Sequence, residues 1–457
     1  MPASSGILAI GVIAALLIFF LAWRRPTVAL TVWLIFSTVL SEYILLPDAP
    51  TLHVHLSRVL LSALLLGLAA GWIPRITRPE ASVTPVVLIV MLTAWTIVSA
   101  FWTGTIYRVD GTRNLSVFLT GFFVPGMILY FARYFPLTLK VSRSVCTLLC
   151  LLLGYMVFTA FVEHFHINAL LFPQYINDPS LGVALHTERA RGAIVNAAEN
   201  GGMIAILLLV GLHTVLYASN GAMRWASVFG LLAAGGAALF FTETRGPWLA
   251  FLGGLAVMMF HKRCRGLVFG LGGVGVIAMA AFLVVSAASV GNLVKEDPLP
   301  QRSDNTSDTA EFRMDLYRES VRPFQEHPLV GWGLGTFTDT EYLFDAYGGS
   351  LTITTAVLHD TVVAITLESG IIGGVLYLSF LGTLVATLIK LRRASLDFET
   401  RDFYTLGMAS LAVFVINGLF VDIRYFMQQN ALIFLIAGLG LALPPRNRLQ
   451  VAEPTPP

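Results

Sequence analysis

The chain has 457 residues, 56% of them hydrophobic and only 12% charged, with a net charge of +2. A soluble domain carries about 25% charged residues, so this much apolar surface cannot be hidden in a soluble core, and the mean hydropathy of +0.76 points to a bilayer as the solvent. The near-neutral balance excludes a nucleic-acid binder that relies on a basic face, and Cys146, Cys150 and Cys264 offer neither a disulfide framework nor zinc spacing.

A membrane span needs about 20 apolar residues. Such stretches lie at 6–23, 27–46, 56–73, 84–102, 115–131, 143–162, 196–218, 223–241, 246–260, 266–289, 358–389, 404–420 and 428–444. The expected fold is all-α: a polytopic integral membrane protein with about 12 or 13 transmembrane helices. Met1 to Ser5 lacks the basic start of a secretory signal, so the first span is expected to be retained. The stretch 246–260 is short for a crossing and suits a tilted or partly re-entrant helix.

Basic residues set the orientation. Alternate loops hold Arg24 and Arg25; Arg75 and Arg78; Arg133, Lys140 and Arg143; Arg224; Lys262, Arg263 and Arg265; Lys390, Arg392, Arg393 and Arg401; Arg446 and Arg448. The positive-inside rule places this whole set in the cytoplasm. Trp23, Trp72 and Trp225 then fall at the inner interface, and Trp102 and Trp248 at the outer one, as aromatic belts require.

The domain organisation follows. Residues 1–290 form transmembrane helices with a short exterior loop at 163–195. Residues 291–357 form a long exterior loop, 358–445 the last spans, and 446–457 a disordered tail. In the long loop, Asp308 or Thr309 can cap an amphipathic helix that runs to about Phe324 and is ended by Pro323 and Pro328.

Exterior loops should be poor in cations, yet this side keeps Arg189, Arg191, Arg245, Arg313, Arg318, Arg322 and Arg424. Arginine is the side chain for bidentate phosphate capture. Arg245 sits in the turn Thr242-Glu243-Thr244-Arg245-Gly246, where a charge so close to hydrocarbon is expensive and usually functional. Phosphate capture, an ion pair with Glu243 and snorkelling all remain open for it. For Arg313, Arg318 and Arg322 the plain alternative is a solvated helix face.

His359 stands where the chain returns to the membrane. A histidine titrates near pH 6.5 and can take a proton from an attacking hydroxyl; a hydrogen-bonded residue at a helix start is the alternative. His164, His166, His186 and His327 have weaker positions. Asp360 follows His359 but points about 100° away on a helix. Glu368 is expected to be buried in the membrane, and a carboxylate there is a site candidate by default. Gly331, Gly333 and Gly335 suggest either a phosphate loop or a tight turn. With no preceding strand, the turn is the better reading. No metal motif is present, and no metal or cofactor is expected.

Four segments, in order, resemble the bacterial O-antigen ligase and O-antigen polymerase superfamily. Arg189-Ala190-Arg191-Gly192-Ala193-Ile194-Val195-Asn196 is similar to its Arg-x-x-Gly-x-x-x-Asn segment. Glu243-Thr244-Arg245-Gly246 resembles its Ser-Arg-Gly turn, with threonine for serine. His327-Pro328 to Phe337 resembles its Gly-x-Gly-x-Gly segment. His359-Asp360 to Gly374 resembles its His-Asn helix, with aspartate for asparagine.

The resemblance covers about residues 185–375 and implies a GT-C-like, metal-independent membrane glycosyltransferase. It implies a location in the bacterial inner membrane, with the active site on the periplasmic side. The donor would be an undecaprenyl-diphosphate-linked glycan; the acceptor would be lipid A–core for a ligase or a growing glycan for a polymerase. It further implies that His359 is the general base and that Arg191 and Arg245 hold the donor diphosphate, helped by Arg189, Arg313, Arg318 or Arg322. Glu368, Asp360 and Gly333 would support them. A transporter or flippase for the lipid-linked glycan is the rival reading, but the inverted repeat expected of many transporters is not visible.

Overall fold

The computed structural model describes residues 5–40, 56–72, 82–104, 111–135, 137–181, 189–218, 220–269, 317, 320–321, 324–336 and 360–445. Most of these residues are helical, with no strand among them. The main helices are α1 (Ser5–Arg24), α2 (Pro26–Val39), α3 (Leu56–Trp72), α4 (Thr84–Trp102), α5 (Gly111–Phe118), α6 (Val124–Tyr134) and α7 (Leu139–His164). They continue as α8 (Ala197–Ala218), α9 (Gly221–Phe241), α10 (Arg245–Val257), α11 (Thr361–Ala394), α12 (Phe398–Gly418) and α13 (Met427–Ala442). Six described helices are long and apolar enough to cross a membrane, and five shorter apolar helices accompany them. The chain is therefore a polytopic all-α membrane protein.

Hydropathy places the helices well and their ends less well. The span expected at 404–420 starts earlier, as α12, because Asp397 caps it by accepting from Thr400 N. Glu399, Arg401 and Asp402 in its first turns hide that start from a hydropathy reading. Most of the span expected at 266–289, and most of the helix expected to reach about Phe324, lie outside the described residues.

Burial sorts the layers. A helix that is apolar all round belongs in the centre. α8 is buried along nearly its whole length, whereas α9 buries only Val228, Gly235, Ala238 and Leu239 and faces outward. In α13 almost every residue from Gln428 to Leu441 is buried, and it packs against α6 and α12. The short loop after α7 builds a satellite core. There Leu171, Tyr175 and Ile176 meet Ala193, Val195, Leu40 and Leu56.

One span carries a break that hydropathy does not show. The stretch 358–389 reads as one span, but α11 has 34 residues. At about 1.5 Å per residue that is about 51 Å, against a hydrocarbon core of about 30 Å. Gly370 breaks the helix, with φ 67° and ψ −176°. Before the break, Thr361 is bonded to Val421 and Ile423 in the turn after α12. At the break, Ser369 and Glu368 are bonded to Trp95 and Ser99 near the end of α4. Thr361–Ser369 thus links the turn after α12 to α4, and the helix resumes after Gly370.

Candidate active site

The broken helix is the centre of the site, and the glycine-rich run explains why it can break. A helix interruption strands backbone donors and acceptors, which need new partners in a dry setting. The segment 327–333 supplies them. Trp332 N donates to Leu367 O at 3.0 Å, Gly333 N to Glu368 O at 2.8 Å, and Ile371 N to Pro328 O at 2.8 Å. Ser99 Oγ lies 3.0 Å from both Val330 O and Glu368 O, and Trp95 Nε1 donates to Ser369 O at 2.8 Å.

Such backbone-to-backbone docking leaves no room for a Cβ. One added at Gly331 would lie 2.4 Å from the Glu368 carbonyl carbon, and one at Gly370 would lie 2.0 Å from Leu329 O. Gly331, Gly333 and Gly335 all have positive φ, at 78°, 96° and 78°. The run forms a tight turn, and its NH groups at 332 and 333 bond protein carbonyls.

Beneath this junction Glu368 is fully buried. Its Oε2 accepts from Arg424 Nη1 at 2.5 Å. Arg424 also donates from Nε and Nη2 to Asp422, at 2.9 and 2.6 Å. One guanidinium therefore serves two buried carboxylates. Room for it comes from the π-helical stretch Leu119–Phe123 between α5 and α6. A Cβ at Gly121 would sit 2.8 Å from Arg424 Cβ, and Thr120 Oγ1 donates to Arg424 O at 2.7 Å. Sequence reasoning noted Arg424 among the cations and missed Asp422. The available signal was an Asp-x-Arg pair in a turn only a few residues long between two spans, where charge is costly.

Asp360 is the N-cap of α11. Its Oδ1 accepts from Val362 N at 2.9 Å and Val363 N at 3.0 Å, and Tyr317 OH donates to Oδ2 at 3.3 Å. Burial pushes its carboxyl above the usual carboxylate range, against the pull of those donors. Asn and Asp cap helices about equally well. The aspartate that stands where the resembled motif has asparagine therefore keeps the same capping geometry.

Arg245 is the first residue of α10. It is exposed and forms no ion pair among the described residues, so pairing with Glu243 is not seen. Glu243 itself is exposed at φ 50°. A Cβ at the neighbouring Gly246 would lie 2.9 Å from Phe420 Cβ and 3.1 Å from Asn417 Oδ1. The start of α10 thus packs against the end of α12, beside the turn that carries Asp422 and Arg424. Unpaired backbone N–H groups at a helix start and an arginine together suit an anion.

Arg191 is placed differently. Its guanidinium is buried and donates to Leu181 O at 2.8 Å, Ile176 O at 2.7 Å and Asp178 O at 2.6 Å. In this structure it organises the loop after α7. Glu163 secures the same loop by accepting from Gly192 N at 2.9 Å. Ala190 N donates to Phe241 O at 2.9 Å, so the segment beginning at Arg189 is strapped to the end of α9, close in sequence to Arg245. Arg189 is half-buried. His359, Arg313, Arg318 and Arg322 lie outside the described residues. Among the described residues no group of three or more His, Cys, Asp or Glu could hold a metal ion.

Residues 229–378 match the family model described as O-antigen ligase. No curated protein matches the chain. The matched segment runs from α9 into α11 and contains Arg245, Gly333, Asp360 and Glu368; Arg191 and Arg424 lie beyond it. That segment, about a third of the chain, is similar to the O-antigen ligase family, in line with the resemblance seen in the sequence.

Proposed function

We propose that the protein transfers a glycan from an undecaprenyl-diphosphate carrier to an acceptor hydroxyl, on the membrane side opposite its basic loops. In a Gram-negative cell that side is the periplasmic face of the inner membrane. The acceptor is lipid A–core in a ligase and a carrier-linked glycan in a polymerase. The observation that carries the reading is Arg245: an exposed cation at a helix start, without an ion-pair partner among the described residues, inside the family-matched segment.

The chemistry assigns each group a task. The acceptor oxygen attacks the anomeric carbon, the bond from that carbon to the diphosphate oxygen breaks, and the diphosphate leaves with the electron pair. Arg245 and the start of α10 stabilise the charge that grows on the leaving group. His359 takes the proton from the acceptor hydroxyl. Asp360 caps α11 immediately after His359, and the Glu368–Arg424–Asp422 cluster holds that helix segment in place. Arg191 contributes by ordering the loop next to Arg189. Arg189, Arg313, Arg318 and Arg322 supply further positive charge toward the donor.

The test is product size from purified protein given an undecaprenyl-diphosphate glycan, with and without lipid A–core. A single-step product that requires the acceptor defines a ligase, and a ladder of longer carrier-linked chains defines a polymerase. His359→Ala in a well-folded protein abolishes either product; full activity in that variant overturns the mechanism. Arg245→Ala lowers kcat by about 100-fold, the scale of a lost transition-state charge donor, while thermal stability stays within about 0.5 kcal/mol because the side chain is exposed.

A further inference from the structure

The segment that docks on α11 spends its backbone inward, which leaves several of its side chains outside. Pro328 O, Trp332 N and Gly333 N all bond α11. His327 and Leu329 are exposed, Leu329 at 61%. Between this segment and the end of α4 lies a cavity of about 400 Å³. Its lining includes Trp102, Glu326, His327, Leu329 and Trp332. His327 and Trp332 stand edge to face, 4.5 Å apart and at 86°. Trp102 is 79% exposed.

We infer that this cavity is a glycan subsite, which takes one sugar ring of a substrate chain between Trp102 and Trp332. The inference rests on the transfer reading above and specifies where one sugar binds. A pyranose has apolar C–H faces and a rim of hydroxyls. Indole faces suit the former, and a carboxylate and an imidazole suit the latter as acceptor and donor. Apolar walls with a few converging polar groups are the usual make-up of a small-molecule site. A groove for a polyprenyl tail would call for apolar walls throughout, and Glu326 would be a cost there.

Position fits as well. The carbonyls of Leu367 and Glu368, to which Trp332 N and Gly333 N are bonded, are seven and eight residues from Asp360. That is about 11–12 Å along a helix, a span suited to a ring held away from the reacting hydroxyl. The wall that carries Trp332 is held before binding, because its segment is bonded to α11 and to Ser99. Little ordering cost remains for the ligand to meet.

Either glycan can be the source of that ring, and the test separates them. The wild-type protein in nanodiscs is titrated with two fluorescently tagged oligosaccharides: one cut from the cell's lipopolysaccharide core, the other released from its carrier-linked glycan. Undecaprenyl monophosphate, which has no sugar, is the competitor. One oligosaccharide binds, and the one that does names the source. Trp102→Ala weakens that binding about tenfold, Trp102→Phe restores most of it, and Glu326→Gln weakens it by a smaller factor. In the transfer assay Trp102→Ala raises KM for the same substrate and leaves kcat within about twofold, as lost uniform binding does.

Three results overturn the subsite: no binding of either oligosaccharide to wild type, binding unchanged in Trp102→Ala, or full displacement by undecaprenyl monophosphate. Oligosaccharide binding that depends on Trp102, in a protein that transfers nothing, keeps the subsite and overturns the transfer reading instead.

Discussion

The two ends of the helix bundle solve the same problem, a charge near hydrocarbon, in opposite ways. At the basic end, Arg143 makes a two-pronged bond to Glu399, with its side chain 62% exposed. Arg263 and Arg392 donate to the carbonyls of Leu216 and Phe260. Asp402 accepts from Tyr217 OH at 2.7 Å and Lys262 N at 2.8 Å. Here most cations reach outward, although Arg133 and Asp402 are buried. At the other end the charges are inside: Arg424, Glu368 and Asp422 have side chains only 3%, 0% and 2% exposed. A helix is broken above them and an arginine stands exposed beside them. The basic end is arranged for anchoring, which hydropathy and the positive-inside rule anticipate. The other end keeps buried charge and broken backbone, features that need a compensating purpose.

The largest expected effect follows from that contrast. Removing one member of a buried ion cluster strands the others, at about 3–5 kcal/mol, whereas an exposed pair contributes about 0–1 kcal/mol. Arg424→Ala should therefore lower thermal stability in detergent severely, and Arg143→Ala hardly at all. Neutralising all three groups, with Arg424→Met, Glu368→Gln and Asp422→Asn together, should recover much of the loss. Equal effects of Arg424→Ala and Arg143→Ala would dissolve the comparison.

The same contrast marks what a sequence shows. The long apolar runs were legible because hydropathy depends only on composition within a window. The break at Gly370 was not, because the apolar residues on both sides keep the averaged hydropathy high despite Glu368 and Ser369 beside it. Gly331 and Gly333 read as a tight turn. That their backbone would complete the broken helix depends on Leu367 and Glu368, more than thirty residues later in the chain. Arg424 was visible as a cation on the expected exterior side, but its pairing with Glu368 joins positions 56 residues apart. Arg191 carried the right chemistry for a phosphate, and only the folded loop shows its donors engaged by three carbonyls.

Next in size is the break itself. Gly370 lies in a region of backbone space that is essentially glycine-only, where other residues cost about 1–3 kcal/mol. Its Cβ would also meet Leu329 O at 2.0 Å. Gly370→Ala should destabilise by more than the conformational cost alone and undock the segment 327–333, seen as faster hydrogen exchange at Trp332 and Gly333. Gly382, on the same helix with nothing within 4 Å of an added Cβ, is the control. There alanine should stabilise by up to about 1 kcal/mol, since it gains helix propensity without a clash. The same substitution thus has opposite signs in one helix, according to which part carries the break.

The smallest effect tests what Asp360 does. If its main task is to cap α11, Asp360→Ala costs about 1 kcal/mol, while Asp360→Asn keeps the side-chain oxygen and nearly all of the stability. If its charge instead serves the proton on His359, asparagine should preserve stability but change the pH dependence of transfer. The two readings separate in one variant, measured once for unfolding and once for its pH–rate profile. Capping is favoured by geometry: the carboxylate already accepts two backbone N–H groups within 3.0 Å, and asparagine stands at this place in the resembled motif. An Asp360→Asn enzyme with an unaltered pH profile would make the aspartate a fixture of the broken helix. It would leave the acid–base step to His359.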